Sequence, residues 1–143
     1  MPALGGASAE PLHFLDFLIY RPVRAVLLHG AGVPVQVPAP ERYAVHKLIV
    51  GSRRRSDNDG TAKSRKDRLQ AITLMDAMIA TRQDEDLAEA CVEAWERGPA
   101  WRGAIRESLH SFDDDTRKRL SETLAKSVAE IGGDPKALAK ALG

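Results

Sequence analysis

Apolar positions change their period along this chain, and the change divides it in two. Up to residue 37 they come in short runs. Residues 12–20 (LHFLDFLIY) are apolar with β-branched and aromatic character, too short a run for its period to separate a strand from a short helix, and Arg21-Pro22 ends it. Residues 24–28 (RAVLL) and 33–37 (VPVQV) read as two strands. His29-Gly30-Ala31-Gly32 joins them as a turn, because glycine reaches the positive φ that tight hairpins require. Pro34 has no N–H, so its strand is an edge or holds Pro34 where no ladder bond is needed.

From residue 38 the period becomes helical. Pro38-Ala39-Pro40 closes the β-like part. Pro40 suits the first helical position, where a missing N–H costs nothing, and Glu41 complements the positive helix end. Ala44, Val45, Leu48 and Ile49 share one face, which predicts a helix from Pro40 to about Val50 or Gly51. Residues 51–61 read as a polar loop. Residues 62–82 form the longest helical pattern, with Leu69, Ile72, Met75, Ala77, Met78 and Ile79 making a broad apolar face. A third helix over 86–97 turns Leu87, Cys91 and Trp95 inward, and Gly98-Pro99 breaks it. Residues 101–112 make a fourth. Asp113-Asp114-Asp115 opens a fifth, with one aspartate as N-cap, ending near Gly132-Gly133. Asp134-Pro135 then caps a short last helix over 136–142. The expected fold class is α+β: a short N-terminal antiparallel β unit followed by a bundle of five or six helices.

At 143 residues the chain is one domain's length. Aromatics make up only 5%, so the core is Leu, Ile, Val and Ala. A single cysteine, Cys91, excludes an internal disulfide and a Cys-rich zinc site and reads as a small buried helical residue. The start MPALGGASAEPL has neither the basic nor the apolar stretch of a secretory signal, and no apolar run approaches a membrane span's roughly 18 residues. The expected compartment is the cytoplasm, with no membrane partner.

Charge changes the picture more. Residues 41–68 hold nine Lys or Arg against four acids, a balance of +5, and residues 69–115 hold eleven acids against four bases, or −7. The net charge of +1 hides a dipolar molecule. The basic segment offers Arg42, Arg53, Arg54, Arg55 and Lys63 as a face for nucleic-acid phosphate, with few aromatics nearby to stack bases. Lys63, Arg65, Lys66 and Arg68 load the first turns of the long helix and so oppose its macrodipole. That placement suits either a basic end built for an anion or a solvated basic face.

Other chemistry is thin. His13, His29, His46 and His110 lie on separate elements and make no zinc-ligand pair. Gly51-Ser52 followed by Asp57-Asn58-Asp59 imitates a phosphate-approach turn and a metal-binding Asp-x-Asp pair. Its turn composition puts those carboxylates on a loop, and no Glu stands at the twelfth position of a calcium loop. Asp16, inside an apolar run, reads as a structural hydrogen-bonding group rather than a metal ligand.

The run Val37-Pro38-x-Pro40-Glu41-Arg42-Tyr43-Ala44-x-His46-Lys47-Leu48, the arginine cluster and Lys66-Asp67-x-x-Gln70-Ala71 resemble bacterial nucleotidyltransferase-like proteins, relatives of the abortive-infection-type nucleotidyltransferase toxins. Pro11-Leu12-x-Phe14-Leu15-Asp16-Phe17-Leu18 and Arg97-Gly98-Pro99-x-Trp101-Arg102 extend the resemblance over residues 4–109. It matches the later part of that family. The resemblance implies residues 1–40 as a hairpin remnant of the nucleotidyltransferase sheet and 41–143 as a helical C-terminal domain. It implies nucleotide-phosphate contacts from Lys47, Lys66 and Asp67, and magnesium and a nucleoside triphosphate for full-length relatives. The family's chemistry needs an Asp-x-Asp pair on a strand to hold magnesium on the triphosphate. That pair has no counterpart here, and Gln70 stands where the pattern often has a second Asp. The expectation is a nucleotidyltransferase-like portion with no catalytic residue, metal site or cofactor of its own, inactive alone and completed by an N-terminal half in trans or by a second copy. The alternative is a non-enzymatic helical module that binds nucleic acid or protein through the basic 42–68 face.

Overall fold

The computed structural model describes residues 14–54 and 58–136. The order of elements is α1 (Leu15–Leu18), β1 (Val23–Leu27), β2 (Val33–Val37), α2 (Pro40–Ser52), α3 (Asn58–Ala80), α4 (Asp84–Glu96), α5 (Pro99–His110) and α6 (Asp114–Glu130). This is the α+β arrangement expected. The ambiguous apolar run resolves as a helical turn whose Phe17 is fully buried. The short helix expected over 136–142 falls almost wholly outside the described residues.

β1 and β2 pair antiparallel, with Val23 opposite Val37 and Leu27 opposite Val33. Gly30 and Gly32 take positive φ in the turn, as the sequence requires. Pro34 lies opposite Val26 in a two-stranded sheet, where each strand has an outer edge that can spare an N–H. The hairpin does not join the core. Val26 and Leu27 are more than half exposed, and Leu28 beyond them is 93% exposed.

The core lies among the helices. Val45, Leu48 and Ile49 of α2, Met75 of α3, Leu87 of α4 and Leu120 and Val128 of α6 are essentially inaccessible. α2 is the central element, packing on α3, α5, α4 and α1. Small groups let the helices approach. A Cβ on Gly51 would stand 3.0 Å from Arg68 Cγ, and Ser64 Oγ donates to the Gly51 carbonyl at 2.5 Å. Ser108 Oγ of α5 donates to the Leu48 carbonyl at 2.5 Å. Trp101 seats α1 by edge-to-face contacts with Phe14 and Phe17, at centroid distances of 4.6 and 5.6 Å. Gly98, at φ 123°, makes the break before Pro99 that only glycine makes without strain. Asp113 caps α6 by accepting from the Thr116 N–H at 2.9 Å. Among the described residues no helix is long and apolar enough to cross a membrane.

One boundary and one burial differ from the sequence reading. α3 begins at Asn58, so Asp59 and Thr61 belong to its first turns and not to a loop. Asp59 there favours the positive helix end and accepts from Lys63 at 2.5 Å, one turn on. The basic load on α3 is thus partly answered by an acid ahead of it. Leu69, expected on the apolar face, is instead 62% exposed.

Candidate functional site

α2 and α3 cross with their polar flanks together, and one carboxylate organises that crossing. Asp67 is 3% exposed. Its Oδ1 accepts from Lys47 Nζ at 2.6 Å, and its Oδ2 accepts from Arg54 Nη2 at 2.8 Å and Nε at 3.0 Å. The Tyr43 ring, one turn before Lys47 on α2, faces the ammonium at 5.2 Å. Burial alone would raise the Asp67 pKa, but the bonds from Lys47 and Arg54 outweigh it and hold the carboxyl below its usual range. Burial would likewise lower the Lys47 pKa, and Asp67 reverses that. Half-buried His46 is pushed down by burial and by the Lys47 charge, against an opposing pull from Asp67.

The other residues picked out in the sequence scatter. Lys66 is exposed and has no hydrogen bond or ion pair among the described residues. Arg42 is 8% exposed. It donates to the Phe17 carbonyl at 3.2 Å, pairs with Glu93 at 2.5 Å, and lies over the Phe17 and Tyr20 rings. It rivets α1 and α4 to α2. Arg53 donates to the Ala100 carbonyl at 3.4 Å and covers the Phe14 ring. Lys63 is spent on Asp59. Arg55 lies outside the described residues, as does Asp57. Asp16 pairs with Arg97, which also holds Glu93 at 2.8 Å.

Arg54 has a second neighbourhood. It lines a cavity of about 670 Å³ that Arg65, Arg68, Leu69 and Ile72 of α3 share with Phe112 and the start of α6. Arg68 is tied to this wall by Ser108 Oγ at 3.3 Å and by Glu107 at 3.6 Å. Sequence reasoning missed the cavity because its walls come from residues some fifty positions apart. The one usable signal was the odd placement of basic residues beside Leu69 on α3.

Among the described residues no cluster of three or more His, Cys, Asp or Glu side chains could hold a metal ion. β1 and β2 carry no carboxylate, and both oxygens of Asp67 are taken by cations. The described residues therefore do not fit the magnesium that the resemblance implies for full-length relatives.

A family model described as Nucleotidyltransferase matches residues 1–96, a span that includes Lys47, Arg54, Lys66 and Asp67 and ends with α4. Neither the curated proteins nor the solved structures include a match to this chain.

Proposed function

The chain belongs to the nucleotidyltransferase family, and from that premise we propose that its α2–α3 crossing contacts the phosphates of a nucleoside triphosphate, while the chain alone does not transfer the nucleotide. The observation that carries this reading is the buried Asp67 holding Lys47 and Arg54 together. Two cations on one carboxylate leave a net positive charge. They are also pre-ordered, so an incoming phosphate does not have to immobilise them. Lys66 adds an exposed point charge one residue away, and Arg54 can turn unused N–H groups toward phosphate oxygens.

The lack of transfer by the chain alone is supported by the carboxylates. Two-metal phosphoryl transfer needs acidic ligands converging on the phosphates, and among the described residues no group of three or more candidate ligands converges anywhere. The exposed hairpin supports a sheet completed by other strands, in trans or from a second copy: an uncovered two-stranded ribbon is marginal by itself, and its free edges are templates for pairing.

The alternative, a nucleic-acid face over residues 42–68, needs arginines presented together. Arg42 and Arg53 are instead committed to the fold around Phe14 and Phe17, which disfavours that reading.

The test is calorimetric titration of ATP and GTP with magnesium, at low and moderate salt. Saturable binding is expected. Lys66→Ala, at an exposed site, should weaken it by about tenfold, equivalent to the loss of one charge-assisted contact. Lys47→Met should weaken it further while circular dichroism stays native. A folded chain that binds neither nucleotide, or variants that bind as tightly as the wild type, would overturn the reading.

A further inference from the structure

The geometry points to a site for the nucleoside end of the nucleotide in the cavity between α3 and the α5–α6 junction, with Arg54 as the hinge between base and phosphates. This rests on the phosphate reading and deepens it. The family match ends at residue 96, so the wall formed by Glu107, Phe112 and Asp113 is supplied by a part of the chain to which that match assigns nothing.

Three observations place the nucleoside there. The first is size: about 670 Å³ lies within the roughly 300–1,000 Å³ of small-molecule pockets. The second is composition. Leu69, Ile72 and Phe112 give the cavity an apolar flank, and Leu69 is 62% exposed although it sits among cations on α3. A large aliphatic side chain kept in water beside arginines suits a ligand with a flat apolar body and an anionic end. The third is continuity. Arg54 bonds Asp67 through Nε and Nη2 and also lines the cavity, so one side chain belongs to both neighbourhoods. Arg65, exposed on the same flank, adds charge where a sugar-proximal phosphate would lie.

The opposite flank is acidic. Glu107, which meets Arg68 through Oε1 at 3.6 Å, and Asp113, whose Oδ1 caps α6, each keep a second oxygen that accepts hydrogen bonds and repels phosphate. This fixes polarity within the cavity: the anionic end lies toward Arg54 and Arg65, and a base edge with N–H donors lies toward Glu107 and Asp113. A nucleoside triphosphate has both ends, whereas a bare polyphosphate has only one.

The experiment compares ATP, GTP and inorganic tripolyphosphate by calorimetry on the full chain. The nucleotide is expected to bind at least about tenfold more tightly than tripolyphosphate, the worth of one good base contact. Leu69→Gln, at an exposed helical site, and the shape-conserving Phe112→Leu should reduce that advantage while leaving tripolyphosphate affinity unchanged. Nuclear Overhauser contacts from base and ribose protons to the Leu69 and Ile72 methyl groups should appear in the wild type. Equal affinity for nucleotide and tripolyphosphate, or an advantage that survives both substitutions, would overturn the nucleoside site and leave the phosphate reading standing. Failure of every ligand to bind the folded chain would overturn both.

Discussion

Replacing Asp67 by Asn removes a charge and almost no volume, so it isolates what the carboxylate does for the α2–α3 crossing. Three charge-assisted bonds are affected, at 2.6, 2.8 and 3.0 Å. They are not equal. The Arg54 side chain is 42% exposed and can turn to water, so its share resembles that of a surface pair, about 0.5 kcal/mol. The Lys47 side chain is only 17% exposed. It is left as a largely buried cation without its counter-charge, a situation that costs about 3–5 kcal/mol when burial is complete. Its partial exposure and the remaining Asn carbonyl reduce this to about 2 kcal/mol. The expected total is about 2–3 kcal/mol at neutral pH, or roughly 5–10 °C in Tm for a chain of this size.

The pH dependence follows from the sign of the shift. The folded-state pKa of Asp67 lies below its unfolded value. Its contribution is therefore complete above the ordinary carboxylate pKa and lost as pH falls through the depressed one. Wild type and Asp67→Asn should converge in acid. The assay is urea denaturation at pH 7 and in acid, with the slope m checked for constancy. A loss below about 0.5 kcal/mol at pH 7, no more than an exposed ion pair contributes, would refute the reasoning. Lys47→Met/Asp67→Leu should recover most of the loss, since removing both charges leaves no orphan.

Three further outcomes are expected. The folded-state pKa of His46 is lowered, so the unfolded chain takes up the proton first. Stability should fall as pH drops below about 6.5 and level off below the folded-state pKa, and His46→Gln should flatten that part of the pH profile in denaturant titrations. Cys91 is buried, with its thiol pushed up to about 12, so a thiol reagent at pH 8 should label it only at the rate of global unfolding. Fast labelling of native protein would contradict its placement. Arg42→Lys keeps the charge but loses the fork that reaches both the Phe17 carbonyl and Glu93. It should cost about 1–3 kcal/mol in chemical denaturation, and a silent substitution would show that Trp101 and the Asp16–Arg97 pair hold α1 without it.

The period of the apolar residues was enough to read most of the architecture, because several elements announced their own ends. Gly30 and Gly32 marked the hairpin, Pro40 opened α2, Gly98-Pro99 separated α4 from α5, and Asp113 capped α6. Where local composition misled, tertiary packing was the reason. Asn58 and Asp59 look like loop residues, yet they open α3, where an acid meets the positive helix end. Leu69 fits the apolar stripe by period but lies beyond the edge of what α2 and α5 cover. The basic run from Arg42 to Arg68 looked like one surface in one dimension. In three dimensions Arg42 and Arg53 turn to α1 and its aromatics, and only Arg54 and Lys47 meet Asp67. Sequence separation hides such divergence, because side chains five residues apart on a helix are already directed differently. The cavity was illegible for the same reason, since its walls converge only after α5 and α6 fold back on α3.

The most direct test of the account is nuclear magnetic resonance of isotopically labelled chain titrated with ATP and magnesium, following the Lys47 ammonium, the Arg54 guanidinium and the backbone amides. The account predicts saturable shifts at the C-terminal half of α2, at residues 61–72 of α3 and at the α5–α6 junction that lines the cavity, with the two side-chain signals moving at the same ligand concentration. Saturating nucleotide that leaves these signals in place, or that moves only the hairpin and the outer surface of α6, would contradict it.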